Sequence, residues 1–123
     1  MITENYVSFE IAKLLKEKGF NEPCLMCYTS DGKLGNYGHY RSYKNSDVFS
    51  LTAPTIQMAM KWLREVHNID IIAPPQYDNI KWTYSAVIFK LSIPCTEIRL
   101  NDNKDKKEEV FETAIKYCLE NLI

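Results

Sequence analysis

Apolar residues recur at three- and four-residue spacing in three stretches of the chain, and each stretch is bounded by residues that start or stop a helix. Ile11, Leu14 and Leu15 form the first stripe, with Glu10, Lys13, Lys16, Glu17 and Lys18 around the other side, the pattern of a helix with one buried face. Ser8 can cap its amino end, and Val7 and Ala12 have the spacing of an apolar staple. Gly19 suits the left-handed position that closes a helix, and Phe20 is placed to fold back onto Leu15. These signals predict a helix over 8–18. Ile56, Ala59, Met60, Leu63 and Val66 predict a second over 55–67, entered at Pro54, where a missing amide proton costs nothing, and closed at Asn68. Val110, Phe111, Ala114, Ile115, Cys118 and Leu122 predict a third over 106–121, with Asp105 and Glu108 at capping-box spacing.

Between the helices the period changes. Leu25-Met26-Cys27-Tyr28 has strand composition and runs into Ser30-Asp31-Gly32-Lys33, whose Asp-Gly pair predicts a hairpin turn. Leu34 to Tyr43, with Gly35, Gly38 and three tyrosines, reads as irregular or short-stranded. Ile69-Asp70-Ile71-Ile72 predicts a strand that Pro74-Pro75 stops. Residues 81–91 alternate aromatic and β-branched positions with both faces apolar, the pattern of a central strand, and Ile93 to Leu100 supplies another. The expected fold class is α+β: a single domain over 1–123, with about three helices packed on a mostly antiparallel sheet.

Composition narrows the functional classes more than it names one. A 123-residue chain of 14.4 kDa allows one ordinary domain, and a chain of this mass buries about two-thirds of its surface on folding without metal or disulfide staples. Fifteen basic against sixteen acidic residues give a net charge of -1, so no global field recruits nucleic acid or an anionic membrane. No apolar run approaches the roughly 18–20 residues of a bilayer span, and the amino-terminal Met1-Ile2-Thr3-Glu4-Asn5 has an acid where an export signal carries basic residues. A cytoplasmic location is expected, with Cys24, Cys27, Cys95 and Cys118 reduced.

The stretches ENYVSFEIAKLLKEKGFNEPC, PTIQMAMKWLREVHNIDI and AIKYCLENLI resemble a family of uncharacterised short proteins from anaerobic gut bacteria, often carried on prophages and other mobile elements. The shared features are helix stripes, caps and a helix-to-strand junction. The resemblance implies a cytoplasmic accessory protein of a phage or mobile element, and it brings no catalytic residue or cofactor.

Candidate chemistry is sparse. Cys24-Leu25-Met26-Cys27 has the C-x-x-C spacing that lets two thiolates share zinc, but a lone pair is half a site, and buried free thiols are the preferred reading. His67 sits at a helix end, where the helix dipole favours an imidazolium. Acid, base and nucleophile do not cluster, and no glycine loop runs into a helix as a phosphate cradle. The expectation is a protein that is not an enzyme and uses no cofactor. One local feature stands above this background. Between Lys33 and Lys44 the chain carries Tyr37, His39, Tyr40, Arg41 and Tyr43 without an acid. Tyrosines beside cations suit a protein-binding surface or a base-stacking surface for single-stranded nucleic acid. The expected role is protein interaction, with another protein or a second copy of the chain as partner. A small single-stranded nucleic-acid binder is the alternative.

Overall fold

The computed structural model describes residues 2–36, 42–47 and 50–123. Among them three helices run over Phe9–Glu17 (α1), Ile56–His67 (α2) and Lys107–Asn121 (α3). The strands are Cys27–Tyr28 (β1), Leu34–Gly35 (β2), Ile69–Ile72 (β3), Pro75–Tyr77 (β4), Trp82–Tyr84 (β5), Val87–Lys90 (β6) and Thr96–Arg99 (β7). Every pairing between these strands is antiparallel, so the α+β class read from the sequence holds. The chain divides into two compact units, residues 1–58 and 59–123, and α2 begins in the first and continues in the second. No helix among the described residues is long and apolar enough to cross a membrane.

In the first unit, α1 is built by its own ends. Ser8 Oγ accepts the Ile11 amide at 3.3 Å, satisfying one of the amides that a helix start leaves without a partner. At the other end Gly19 takes φ +93°, and the Phe20 amide donates to the Leu15 carbonyl at 2.9 Å. That turn delivers Phe20 into the core beside the stripe of Ile11, Ala12 and Leu15. The β1–β2 hairpin forms where Asp31-Gly32 predicts it, with Gly32 at φ +86° and Cys27 opposite Gly35. It is shorter than expected, and Leu25 stays outside it and exposed.

Residues 51–56 tie this unit together. Their first half pairs with β1, Tyr28 donating to the Leu51 carbonyl at 2.8 Å and Ala53 to the Met26 carbonyl at 2.9 Å. Their second half pairs with the amino-terminal segment, Val7 donating to Pro54 at 3.0 Å and Ile56 to Asn5 at 2.9 Å. The buried Asn45 amide adds a three-way link: Nδ2 donates to the Phe20 carbonyl at 2.8 Å, and Oδ1 accepts the Thr52 amide at 2.9 Å.

The second unit is organised by one long hairpin. Ile72 faces Val87 in the β3–β6 ladder, and Pro75 faces Tyr84 in the β4–β5 ladder. The register is therefore unchanged across the unpaired residues 73–74 and 85–86. Tyr84 exchanges both backbone bonds with Lys104, at 2.8 and 2.9 Å, and Leu100 donates to Ala86 at 3.0 Å. Even-numbered residues of the inner arm thus bond to the returning chain, and odd-numbered ones to the outer arm. β6 becomes the central strand of the order β3-β6-β7, with Val87 and Ile88 buried. α3 lies against β3 and β5 and buries Val110, Phe111, Ala114, Ile115, Cys118 and Leu119.

The strand Ile69–Ile72 ends before Pro74-Pro75 as expected, and Pro75 then opens β4: the pair Pro75–Tyr84 is one in which Tyr84 bonds elsewhere, so the missing proline N–H forfeits no ladder bond. Three local expectations are corrected. The stretch 81–91 is two strands, because the chain is unpaired toward the outer arm at 85–86, and Trp82 at its start is exposed. Asp105 does not cap α3. Its carboxylate lies 2.9 Å from Lys81 Nζ, and Lys106 occupies the cap position without a side-chain bond. In α3, Leu119 is buried where Leu122 was expected to be, since the helix ends at Asn121 and Leu122 is only half-buried.

Three substitutions check this architecture by urea unfolding. Ile88→Ala, at a fully buried central-strand position, is expected to cost about 2–5 kcal/mol. Asn45→Ala strands a buried carbonyl and a buried amide, and is expected to cost about 2–4 kcal/mol. Glu120→Ala, on the exposed side of α3, should stay within about 0.5 kcal/mol.

Candidate functional site

The segment 33–44 is held at both ends by the stretch 24–28. Gly35 pairs with Cys27, and Tyr43 exchanges two backbone bonds with Cys24 at 2.8 and 2.7 Å. Of the residues expected to form a recognition surface, Lys33 is exposed, with its ammonium 3.9 Å from Asp31. Tyr43 is half-buried, and Lys44 is exposed, its amide bonding to Asp47 Oδ2 at 2.9 Å. Tyr37, His39, Tyr40 and Arg41 lie outside the described residues. The two lysines thus stand near the ends of a segment whose flanks are fixed by backbone pairing.

Cys24 and Cys27 come to the same place by different routes, the first through its bridge to Tyr43 and the second through β1. Both are buried. Burial raises the Cys24 thiol from 9.0 to about 11, an effect that the neighbouring Thr52 hydroxyl partly offsets. It also raises Cys27, with the Asp47 carboxylate adding to the effect. Zinc binds the thiolate, and this environment favours the protonated thiol. The Cys24 Sγ lies 3.5 Å from the Glu22 carbonyl and 4.0 Å from Met58 Sδ. Beside it opens a shallow cavity of about 260 Å³, walled by Tyr6, Pro23, Ala53, Pro54 and Met58. Glu4 is the one charged residue in its lining. The helix-end histidine, His67, packs its ring edge-on against Trp62 at 4.7 Å.

The most exposed aromatic surface among the described residues lies elsewhere, at the end of the long hairpin. Tyr77 and Trp82 face each other across β4 and β5. The pair belongs to the class without direct backbone bonds, in which side chains approach most closely, and the rings stack with centroids 5.2 Å apart. Tyr77 is 56% exposed, Trp82 59% and Ile80 86%. The turn beneath them is fixed by Asp78, whose Oδ1 accepts the Ile80 amide at 3.0 Å and the Lys81 amide at 2.9 Å. Asn79 supplies the positive φ of 75°. The Lys81 and Ile80 amides hold the Asp78 carboxyl below its ordinary range. Across the turn Lys81 is paired with Asp105. The tip therefore presents exposed apolar rings beside one ion pair and one carboxylate that its own turn holds.

Sequence reasoning passed over this tip because 81–91 reads as a covered central strand. The signal was present in Asp78-Asn79, a turn pair between two aromatic positions. Comparison of the chain with protein-family models, with curated proteins and with solved structures gives no match.

The thiols provide the check on this region. Cys95 is exposed and the other three are buried, so one thiol per native chain should react at once with Ellman's reagent and the rest only after unfolding. Burial raises Cys118 to about 12 and Cys24 to about 11. Below about pH 9 both folded and unfolded thiols are protonated. Above it the unfolded chain releases protons that the folded chain keeps, so stability must fall as pH rises. Urea midpoints measured from pH 8 upward should decline past about pH 9, and Cys118→Ala should flatten part of that decline.

Proposed function

We propose that this protein is a non-catalytic interaction module, acting in the cytoplasm as an accessory protein of a phage or mobile element, and that the β4–β5 hairpin is the surface through which it docks on a protein partner. The observation that supports this reading is the exposed Tyr77–Trp82 stack with Ile80 at the turn. Tyrosine and tryptophan dominate binding hot spots because they bury large areas while ordering few torsions. Here the cross-strand stack and the Asp78 turn order the tip before any partner arrives, which lowers the entropic cost of association. With Asp78 bonded to its own turn and Lys81 paired to Asp105, the partner that fits is a shallow apolar cleft on another protein rather than a charged surface. The single-stranded nucleic-acid reading depends on Tyr37, Tyr40 and Arg41 within segment 33–44.

A photo-crosslinking amino acid placed at Ile80 is expected to give an adduct of discrete mass in cells that naturally carry the protein. The same probe at Glu120 should give none. Tyr77→Ser with Trp82→Ser, in a chain still carrying the probe at position 80, should abolish the adduct while lowering stability by less than about 1 kcal/mol. Absence of any adduct from position 80, or a loss of several kcal/mol in the double variant, would assign these rings to packing instead. Strong salt-dependent retention on single-stranded nucleic acid would favour the alternative.

A further inference from the structure

The two outer edges of the second unit differ. Along β3 the residues whose backbone groups point away from β6 are Ile69 and Ile71, and both are buried. Along β7 the bonded pair Leu100–Ala86 sets the phase, so Ile98 and Thr96 bond to β6 while Glu97 and Arg99 turn their N–H and C=O groups outward. Among the described residues β7 pairs with β6 alone. Thr96, Glu97 and Arg99 are exposed, and Ile98 is half-buried.

We infer that two copies of this chain associate through β7, paired antiparallel about a twofold axis at Ile98, to make one continuous sheet. A twofold interface must be complementary to itself, and Glu97-Ile98-Arg99 is. With the axis at Ile98, each Glu97 stands opposite the other copy's Arg99, and these are the residues whose backbone groups face outward. They form two directly bonded pairs that flank a pair of the two Ile98 residues without direct backbone bonds. Moving the axis to the next symmetric positions of the same phase places Glu97 on Glu97 or Arg99 on Arg99, and like charges directly opposite each other destabilise a ladder. Charge therefore selects the Ile98 register over its two in-phase neighbours. Within one copy Arg99 Nη2 already lies 2.7 Å from Glu97 Oε1, so association closes an alternating ring of four charges. The same charges resist pairing with an unrelated strand. This inference uses none of the residues of the β4–β5 tip.

Sedimentation equilibrium over roughly micromolar to millimolar concentrations tests it on the full chain. The wild-type protein is expected to show a reversible monomer–dimer equilibrium. E97R alone and R99E alone should each weaken it about tenfold or more, since each puts two like-charge pairs at the interface. The double variant E97R/R99E restores opposite charges in the same register and should recover most of the loss. All three changes are at exposed positions, and circular dichroism confirms the fold of each variant. Register is read separately by oxidation. In a Cys95→Ser background, Ile98→Cys should form a disulfide-linked dimer readily, because the Cα atoms of an antiparallel pair without direct backbone bonds lie about 4.5 Å apart, within disulfide range. Arg99→Cys in that background should cross-link far more slowly. A wild-type chain that stays monomeric throughout, charge variants that leave the dimer unchanged, a double variant no better than the single ones, or equal cross-linking from positions 98 and 99 would each overturn the inference.

Discussion

One register runs through the hairpin of residues 69–77 and 82–90, and most of what the second unit offers its surroundings depends on it. The phase that bonds Leu91 to Asn68 continues past the unpaired residues at 73–74 and 85–86 to the turn at Asp78–Lys81. Because it does, Tyr77 and Trp82 meet as a close side-chain pair, and Pro75 falls where a ladder needs no proton. The inner arm is left with the alternate set of backbone groups free for the returning chain. A slip of one residue would invert each of these outcomes, since it exchanges the bonded and unbonded pairs and turns the side chains to the other face. The turn holds that register: Asp78 secures two amides and Asn79 takes the left-handed conformation that asparagine tolerates better than most residues.

The first unit relies on different physics. Its strands are too short to be self-supporting, β1 and β2 having two residues each, and an isolated two-stranded hairpin is marginal in water. Stability must come from segments that are distant in sequence meeting around them. Residues 51–56 do this by bonding β1 with one half and residues 5–7 with the other, and the Tyr28 hydroxyl donates to the Val7 carbonyl at 2.6 Å across that junction. Asn45 contributes where no regular ladder reaches, giving partners to the Phe20 carbonyl and the Thr52 amide.

What could be read from the sequence were the features written into adjacent residues. The Ser8 cap, the Gly19–Phe20 closure, the Asp31-Gly32 turn and the left-handed Asn68 at φ 56° each depend on a few neighbouring positions, and each stands in the structure. What could not be read depends on pairing across the chain. Asp105 and Glu108 have capping-box spacing, but Lys81 holds the Asp105 carboxylate from a hairpin turn two dozen positions earlier. Trp82 belongs to an apolar run whose period says buried, yet its partner across the ladder is Tyr77, and both rings are exposed. Segment 33–44 was legible as unusual in composition, whereas the Tyr77–Trp82 tip was ordinary in composition and distinctive only once its two strands were paired.

The pairing of residues 5–7 with 54–56 also bears on how the chain is made. Synthesis releases Val7 well before its partner Pro54, which follows only after the intervening residues of the first unit. At about 5–20 residues per second, that interval lasts several seconds, far longer than the microsecond in which a helix such as α1 can form. During that wait α1 carries an uncovered apolar stripe, and Val7, fully buried in the finished unit, faces water. Through that interval the nascent first unit is open to chaperones and proteases. That exposure ends when residues 51–56 arrive, because one short stretch then bonds both β1 and residues 5–7.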